Sequence, residues 1–329
     1  MAKILVTGGN GFLGSWTVRK LIDLGHDVHC LLRSQSDVSE LKDVKYTRIN
    51  GDVTHLDSLL KAAQGMDGVF HLAGLIAYKA SERRKMERVN VQGTKNVIEA
   101  CLKNKVSRLV HVSSVVAVGA SYDRSQILDE NSPYNISNLN LGYFETKHQA
   151  EVAVVEAVKN RGLNAVIVNP ATVYGPGDAK KGSRKTQIKV AQGTFPFYTS
   201  GGVNVVPVAN CVDGIVAAFT KGRAGERYIL AGENLTIEKL FGIIAEAAGV
   251  APPRRKMPSI LLHVMGFIGD AVSPFKIPFP VSRENAWTAT LFHWFDSRKA
   301  QEELGFKPGS AQEAIRSSVK WMKDNGYLK

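Results

Sequence analysis

Up to about residue 235, short apolar runs alternate with stretches of helical periodicity. The runs are rich in β-branched residues and too short for helices, so they predict strands, at residues 3–7, 27–32, 44–50, 68–72, 108–113, 164–168, 203–208 and 226–230. The stretches between them repeat apolar residues every three or four positions and predict helices, at 16–24, from 57, 85–103, 140–160 and 211–220. Strands that alternate with helices pair in parallel, which predicts an α/β fold.

The last third of the chain is mainly helical in pattern. Its predicted helices are 236–248, 257–272, 283–291, 297–304 and 311–325. We therefore expect two units. The first is a doubly wound parallel sheet built from residues 1–168 and about 203–235, and the second is a smaller lobe built from residues 169–202 and 236–329.

Three glycines spaced three apart follow the first strand: Gly8, Gly11 and Gly14. A turn without Cβ atoms lets the backbone approach a pyrophosphate, and the next helix offers it free N–H groups and the positive end of a dipole. Because this turn lies directly between a strand and a helix, it predicts a dinucleotide-binding site. The alternative is a tight strand–helix turn that binds no ligand.

The end of the second strand bears on which dinucleotide binds. An acid there would bind both ribose hydroxyls of the adenosine and select NAD. The chain instead continues Leu31-Leu-Arg-Ser34. The Arg33 guanidinium suits a 2′-phosphate and the Ser34 hydroxyl adds a hydrogen bond, so we expect NADP(H) to be preferred over NAD(H). The alternative is that Arg33 is a solvated loop residue.

Candidate acid–base chemistry lies on the helix predicted at 140–160. Tyr143 and Lys147 are four residues apart and therefore share one face of that helix. A free tyrosine has a pKa near 10, and we expect the neighbouring ammonium to lower it. Tyr143 can then exchange a proton with a carbonyl or alcohol oxygen, which Ser114, at the end of a neighbouring strand, can align.

Small residues follow the fourth strand in the segment His71-Leu-Ala-Gly74. They would let a cofactor lie across the carboxyl edge of the sheet, where ligands bind in such folds. We expect His71 itself to be a packed strand residue and not a catalyst.

Charge and hydropathy narrow the classes of partner. The chain has 329 residues and a net charge of +12. Its basic clusters, at 83–85, 180–185 and 254–256, are not interleaved with aromatic residues as a nucleic-acid platform is, so we expect no nucleic-acid partner. No stretch is apolar over the eighteen or more residues that a membrane span needs, so we expect no stable membrane insertion.

The cysteines and the start of the chain indicate the compartment. Cys30, Cys101 and Cys211 are odd in number and far apart, which fits neither a disulfide framework nor metal-ligand spacing. The first residues lack a charged leader followed by an apolar core. We expect a cytoplasmic protein with no metal site.

The motifs together resemble the extended short-chain dehydrogenase/reductase family, of the NAD-dependent epimerase/dehydratase type. The resemblance covers essentially the whole chain. The residues that carry it are Thr7-Gly-Gly-Asn-Gly-Phe-Leu-Gly14, Gly51-Asp-Val53, His71-Leu-Ala-Gly74, Asn90-Val-Gln-Gly-Thr94, Ser113-Ser114, Tyr143-x-x-x-Lys147 and Asn169-Pro-Ala-Thr-Val-Tyr-Gly-Pro176.

The resemblance implies a seven-stranded Rossmann core, a smaller C-terminal substrate lobe and a catalytic set of Ser114, Tyr143 and Lys147. It implies that Asp52 and Val53 lie at the adenine and that Lys147 also holds the nicotinamide ribose. It further implies a homodimer formed through the helices at 85–103 and 140–160. The full set of cofactor contacts expected on this basis is Gly8, Asn10, Gly11, Phe12, Leu13, Gly14, Arg33, Ser34, Asp52, Val53, Leu72, Ala73, Gly74, Ser113, Tyr143, Lys147, Pro170, Thr172 and Val173.

Within the family the chain looks most like the dihydroflavonol 4-reductase-like branch and the bacterial hopanoid-associated sugar epimerase-like proteins near it. The supporting features are Leu32-Arg33 and residues 225–236. We therefore expect an NADPH-dependent reductase that acts on a ketone or aldehyde. An apolar substrate is favoured by aromatic and aliphatic residues of the lobe: Leu261, Leu262, Met265, Phe267, Ile268, Phe275, Phe279, Trp287, Phe292, Trp294 and Phe295. The alternative for that set is a packed lobe core or a dimer interface.

Two other functions stay open. A nucleotide-sugar epimerase or dehydratase would retain its NAD(P), and the basic residues at 180–185 and 254–256 would grip a diphosphate. The missing acid after the second strand and Asn169, where an arginine often precedes the proline, weaken this interpretation. A cofactor-sensing protein without turnover is disfavoured because both Tyr143 and Lys147 are present. A membrane-surface role for residues 260–272 is a further hypothesis.

Overall fold

Seven parallel strands form the central sheet. The structure, a computed structural model, describes residues 1–180, 184–275, 277 and 279–328. The strands of this sheet are β1 (Lys3–Thr7), β2 (Asp27–Leu32), β3 (Thr47–Asn50), β4 (Gly68–His71), β5 (Arg108–Val112), β6 (Ala165–Pro170) and β10 (Arg227–Leu230). Their order across the sheet is β10-β6-β5-β4-β1-β2-β3. The central strands are buried on both faces, which explains their unbroken apolar runs.

Helices cover both faces of the sheet. The helices of the core are α1 (Phe12–Asp23), α2 (Leu56–Ala62), α3 (Arg83–Met86), α4 (Gly93–Lys103), α5 (Gly142–Arg161) and α7 (Val208–Lys221). On one face α1 packs against α7, and on the other α2 and α5 each pack against α4. The predicted α/β fold with a doubly wound parallel sheet is confirmed.

The helix predicted at 85–103 is continuous but not uniform. A π-helical segment, Glu87–Gln92, joins α3 to α4. Segments of this kind are frequent at functional sites because the extra residue re-aims nearby side chains. Here the segment contains the buried Asn90.

The strand predicted at 203–208 is β9 (Gly202–Pro207), and it lies in a second, smaller sheet and not in the central one. Five short strands were not predicted, because segments of two to four residues show little periodicity: β7 (Thr172–Tyr174), β8 (Phe197–Tyr198), β11 (Glu233–Thr236), β12 (Arg255–Lys256) and β13 (Phe292–His293). The second sheet has the order β11-β9-β13, with β7 paired to β9.

Five of the remaining helices follow the predicted pattern closely. They are α8 (Ile237–Ala248), α9 (Ser259–Val272), α10 (Arg283–Thr290), α11 (Arg298–Leu304) and α12 (Ala311–Asp324). A further short helix, α6 (Lys185–Ala191), precedes them. Thr236 caps α8, since its hydroxyl accepts a hydrogen bond from the Lys239 amide at 3.1 Å. In the described part of the chain, every helix is too short or too polar to cross a membrane.

Candidate active site

The glycine turn after β1 is shaped by close approaches of the backbone. Gly8 has φ +73°, and a Cβ there would lie 2.6 Å from the Ala73 nitrogen. A Cβ on Gly14 would lie 2.0 Å from the Gly8 oxygen, so neither position accepts another residue. At Gly11 only that same oxygen, at 3.3 Å, lies within 4 Å among the described residues. The turn is therefore closely packed at Gly8 and Gly14 and open at Gly11, as a bound pyrophosphate requires.

The start of α1 suits an anion. Its N-cap, Gly11, has no side chain to occupy the first amides, and its first turn holds no acid. The N–H groups of the first turn and the helix dipole therefore favour a phosphate. Asn10 has a different task, because its Nδ2 donates to the Asp37 carbonyl at 3.0 Å and so ties the turn to the loop after β2.

The end of β2 is surrounded by the side chains of two arginines, one after β2 and one on β3. Arg33 and Ser34 follow β2 and are exposed. Arg48, on the neighbouring β3, donates through Nη2 to the carbonyls of both, at 2.8 and 3.0 Å. Sequence reasoning missed Arg48, although a cation on the strand predicted at 44–50 was a usable signal. The pair concentrates positive charge where the adenosine ribose of a dinucleotide lies in this fold.

Asp52 follows β3 and is held in its ionised form. Burial raises its pKa, but hydrogen bonds from Thr54 and the charge of Arg33 outweigh burial and leave the pKa below its ordinary value. The Thr54 amide and hydroxyl both donate to Oδ1 at 2.9 Å. Val53 follows it and is buried, and its carbonyl accepts a hydrogen bond from the side-chain Nδ2 of Asn96 at 2.9 Å.

Tyr143 and Ser114 meet at the carboxyl end of β5. Tyr143 lies in the first turn of α5, and its hydroxyl shares a hydrogen bond with the Ser114 side chain. Ser114 is held by the 3₁₀ turn Val115–Ala117, of which it is the N-cap. The predicted convergence of these two distant residues on one point is therefore present in the structure.

The predicted lowering of the Tyr143 pKa is wrong. Burial raises the pKa of the phenol to about 12, the Ser114 hydrogen bond lowers it in part, and the Glu284 carboxylate raises it further. Desolvation of the phenolate thus outweighs any help from a neighbouring cation. At neutral pH the phenol keeps its proton, which makes it a proton donor.

Lys147 reaches across the end of the sheet. Its Nζ donates to the Val112 carbonyl at 3.2 Å, and a Cβ on Gly74 would lie 3.6 Å from the same nitrogen. Burial lowers its pKa to about 8, while Glu151 one turn away favours the charged form. Lys147 therefore lies between the end of β5 and the small residues that follow β4.

Glu151 anchors a polar network under the site. Its Oε2 accepts from the Ser113 hydroxyl at 2.8 Å and from Asn169 Nδ2 at 2.9 Å, and Arg227 forms an ion pair with Oε1. Asn169 also donates to the Ser114 carbonyl at 2.9 Å. The hydroxyl of Ser113 is thus committed to Glu151, and Asn169 supports the strand end that carries Ser114.

His71 is packed, as expected. Its Nδ1 lies 2.7 Å from the Thr7 hydroxyl and its Nε2 lies 3.0 Å from the Thr94 hydroxyl. Burial, helped by the charge of Lys147, lowers its pKa to about 3, so the ring is neutral. Through these two hydrogen bonds His71 connects β4 to β1 and to α4.

Asn90 is a positioning residue that sequence reasoning quoted in a motif but gave no task. Its Oδ1 accepts from the Leu75 amide at 2.7 Å, and its Nδ2 donates to the Leu75 carbonyl at 3.0 Å and to the Thr146 hydroxyl at 3.1 Å. It therefore fixes the loop after Gly74 against the helix that carries Tyr143.

Glu284, on α10, was also missed. Its carboxylate accepts from the amides of Gly142 and Tyr143 at 3.1 and 2.9 Å. These amides are otherwise unsatisfied at the start of a helix, where a negative charge is favourable. Burial raises the pKa of this carboxyl to about 7 despite both hydrogen bonds.

Apolar and aromatic side chains pack in one cluster with the Tyr143 side chain. The Tyr78 ring meets the Tyr143 ring edge-on, with centroids 6.2 Å apart. Leu75, Val116 and Trp287 are half-buried in the same cluster. A polar cavity opens beside it, lined by Tyr78, Lys79, Ala80, Arg83, Asn140, Leu141, Gly142, Asp270, Arg283 and Glu284.

The expectation that the apolar residues of the lobe surround a substrate needs correction. Leu261, Phe267, Ile268, Phe275 and Phe279 are exposed and do not line a closed pocket, whereas Leu262 and Phe295 are buried in the core. Periodicity identified the apolar face of α9 but not what covers it.

The basic loop is also different from expectation. Arg184 is buried, stacked 3.7 Å from the centre of the Tyr174 ring and paired with Asp178 at 3.2 Å. It therefore serves the packing of the loop and not a diphosphate. Lys185 is exposed, and residues 181–183 lie outside the described part of the chain.

A glycine turn at a helix N-terminus and a Ser–Tyr–Lys set at the carboxyl edge of a parallel sheet define a nicotinamide-dependent oxidoreductase site. The sequence profile of the NAD dependent epimerase/dehydratase family matches residues 4–231. The chain belongs to this family, and it is an NAD(P)-dependent oxidoreductase of the extended short-chain dehydrogenase/reductase type.

Curated relatives span nearly the whole chain. A protein of Synechocystis sp. provisionally named dihydroflavonol 4-reductase is 29% identical over 98% of this chain and 95% of its own. Sterol demethylase protein B of Methylococcus capsulatus is 31% identical over 98% and 99%. The 2-alkyl-3-oxoalkanoate reductase of Stenotrophomonas maltophilia is 29% identical over 95% and 97%.

Solved structures share the fold over the full chain. The crystal structure of gox2253 superposes with a TM-score of 0.89 at 32% identity, covering 100% of both chains. That of PA4631, a nucleoside-diphosphate-sugar epimerase from Pseudomonas aeruginosa, superposes with a TM-score of 0.82 at 25% identity, covering 100% of this chain and 99% of its own.

Proposed function

We propose that this protein is an NADPH-dependent reductase of ketones or aldehydes. The observation that carries the proposal is the buried Tyr143 side chain, hydrogen-bonded to Ser114 at the carboxyl end of β5, with Lys147 one turn further along α5. Reduction of a carbonyl needs a proton at the oxygen as well as a hydride at the carbon. A buried phenol that keeps its proton at neutral pH supplies the first of these.

Each residue of the set has a defined task. Ser114 aligns the carbonyl oxygen, and Tyr143 gives that oxygen its proton. Lys147, whose charged form Glu151 favours, stabilises the phenolate left behind and holds the cofactor ribose. The nicotinamide cofactor, when bound, supplies the hydride.

The preference for NADP(H) is supported by Arg33, Ser34 and Arg48. Arg48 holds the backbone of the other two, so the Arg33 side chain starts from a fixed point. Guanidinium groups bind phosphate with paired, charge-assisted hydrogen bonds. NAD(H) lacks the 2′-phosphate that these groups fit.

We propose the remaining cofactor contacts on the same basis. The pyrophosphate would lie on the turn and the start of α1, and the ribose and nicotinamide would follow the carboxyl edge. The residues involved are Gly8, Asn10, Gly11, Phe12, Leu13, Gly14, Asp52, Val53, Leu72, Ala73, Gly74, Ser113, Pro170, Thr172 and Val173.

The substrate we propose is a small, apolar carbonyl compound. The half-buried Leu75, Tyr78, Val116 and Trp287 beside Tyr143 support this choice. The names of two relatives, sterol demethylase protein B and 2-alkyl-3-oxoalkanoate reductase, refer to a sterol and to a compound with alkyl chains. We further propose a cytoplasmic homodimer with a substrate lobe made by residues 169–202 and 236–329.

The test is net consumption of the reduced cofactor. Purified protein is mixed with NADPH, and in parallel with NADH, against apolar ketones, apolar aldehydes and nucleotide sugars. Steady loss of NADPH absorbance with a carbonyl compound is expected. Conversion of a nucleotide sugar to an isomer without loss of NADPH would contradict the reductase and support an epimerase. The epimerase is the second candidate because of the structural similarity to PA4631 and the exposed basic cluster Arg254–Lys256.

A further inference from the structure

One face of α9 is apolar and open to solvent along its whole length. Ile260, Leu261, Val264, Phe267 and Ile268 are 80, 49, 50, 70 and 42% exposed. At about 100° per residue these positions fall within an arc of about 120°. They form one continuous stripe, which single exposed apolar residues scattered over a surface do not.

The stripe continues into the segment after α9. Phe275 and Ile277 are 76 and 53% exposed. Phe279 is not part of this surface, because its ring lies 3.0 Å from the Cβ position of Gly269 on the buried side of the helix. Phe275, Ile277 and the five residues of the helix make the surface that we call the α9 face. Seven large exposed apolar side chains between residues 260 and 277 are more than the single, scattered ones that a soluble surface normally shows.

The packing of α9 fixes this face outward. Its opposite side carries the buried Leu262, Gly266 and Gly269. A Cβ on Gly266 would lie 3.0 Å from the Ala286 Cβ, and one on Gly269 would lie 1.9 Å from the Val281 oxygen. The two glycines let α10 and the residues before it approach closely, so the helix cannot rotate its apolar face inward without losing this contact.

Two polar side chains of α9 are directed at α10. His263 Nε2 lies 3.1 Å from the Thr290 hydroxyl, and Asp270 lies 3.9 Å from the Arg283 guanidinium. Neither interrupts the apolar stripe. The α9 face therefore has the division of polar and apolar sides that is typical of a helix lying in a membrane interface.

Exposed cations lie at both ends of the α9 face. Arg254, Arg255 and Lys256 precede the helix within a few residues. At the other end the turn Ser273–Phe275 contacts the turn Ala80–Glu82. Exposed cations flank that second turn, at Lys79, Arg84 and Lys85.

We propose that the α9 face docks on the surface of a lipid bilayer that contains anionic lipids. The apolar side chains would enter the boundary between headgroups and acyl chains, and the flanking cations would contact the headgroup phosphates. A 14-residue helix lies on such a surface and does not cross it.

The charge distribution favours a bilayer over a second copy of the chain. In a symmetric dimer through this face, the cations of each subunit would approach those of its partner, and each chain has a net charge of +12. An anionic surface neutralises the same charges. The docking does not depend on the proposed reductase activity, because the α9 face contains none of the residues assigned to the catalytic set.

The test is sedimentation of the whole protein with vesicles of phosphatidylcholine alone, or of equal parts phosphatidylcholine and phosphatidylglycerol, at low and high salt. The variant Ile260→Asp with Phe267→Asp removes two apolar contacts. Its matched control is Leu24→Asp with Ile127→Asp, at positions 53 and 54% exposed elsewhere on the surface. Thermal unfolding and far-UV circular dichroism show that each variant is folded.

We expect the protein and its control to bind the anionic vesicles, and the face variant to bind them at least about tenfold more weakly. Arg254→Gln with Arg255→Gln should weaken binding at low salt and reduce its salt dependence. Three results overturn the proposal. They are no binding to anionic vesicles, equal binding by the face variant and its control, and a dimer in solution that only the face variant lacks.

Discussion

The Glu284 carboxylate accepts a hydrogen bond from the Tyr143 amide at 2.9 Å, although 141 positions separate the two residues. Through this contact α10 fixes the first turn of α5, the helix that carries Tyr143. The same carboxylate raises the pKa of the Tyr143 phenol through its charge. Glu284 is therefore a positioning residue that acts on both the place and the acidity of Tyr143.

Replacement of Glu284 separates these two effects. Glu284→Gln removes the charge and keeps an oxygen acceptor for one of the two amides, whereas Glu284→Ala leaves both buried amides without this partner. We expect Glu284→Ala to lose about 1–3 kcal/mol of unfolding free energy and Glu284→Gln to lose less. The pH profile of kcat should show an inflection near pH 7 in the unmodified enzyme. That inflection should be absent from both variants, and its persistence in Glu284→Gln would contradict the assignment.

Glu284 also makes stability depend on pH. Its folded pKa, about 7, lies above the ordinary value of 4.5, so the folded state holds this proton more tightly. The resulting stability is fully present below about pH 4.5 and is lost as the pH rises through 7. Urea unfolding of Glu284→Gln should show a smaller decline between these pH values, by at most about 3 kcal/mol. Equal declines in both proteins would show that another group is responsible.

Arg33 should determine the choice of cofactor. Loss of a charge-assisted contact with the 2′-phosphate costs about 1.5–3 kcal/mol, so Arg33→Gln should raise KM for NADPH by about ten- to a hundredfold. KM for NADH should change little. Lys45→Gln, which removes an exposed cation just before the start of β3, at the opposite edge of the sheet, is the matched control. Equal changes for NADPH and NADH would mean that Arg33 does not contact the 2′-phosphate.

The ion pair between Arg184 and Asp178 should contribute to stability. Arg184 is 2% exposed, and Asp178 also accepts a hydrogen bond from the Ser318 hydroxyl of α12 at 2.7 Å. Removing one partner of a buried pair leaves a buried charge, so Arg184→Ala should cost about 3–5 kcal/mol. The exposed neighbour gives the control, since Lys185→Ala should stay within about 0.5 kcal/mol of the parent. Denaturant unfolding measures both, and similar values would contradict the buried position of Arg184.

The sequence predicted those parts of the site that depend on local patterns. The glycine turn, the strand ends and the one-turn spacing of Tyr143 and Lys147 are encoded within a few residues. The order of strand, turn and helix was sufficient to bring Ser114 and Tyr143 together, because parallel strands end at one edge.

The rest depends on contacts between distant segments. No local pattern connects Glu284 to Tyr143 or gives Asn90 its contact with Leu75 and Thr146. The pKa of Tyr143 was predicted in the wrong direction because spacing reveals a neighbouring cation but not the extent of burial. For the same reason an apolar periodicity predicted α9 without showing that its apolar face meets solvent.

The central claim is that Tyr143 donates the proton to a carbonyl oxygen. Turnover of Tyr143→Phe, measured together with its affinity for NADPH, tests it most directly. We expect kcat for carbonyl reduction to fall by about 10²–10⁴-fold, while NADPH affinity stays close to that of the unmodified enzyme. Tyr327→Phe, whose ring stacks on Trp321 far along the chain, is the control and should keep full turnover. Turnover by Tyr143→Phe at the level of this control would contradict the claim.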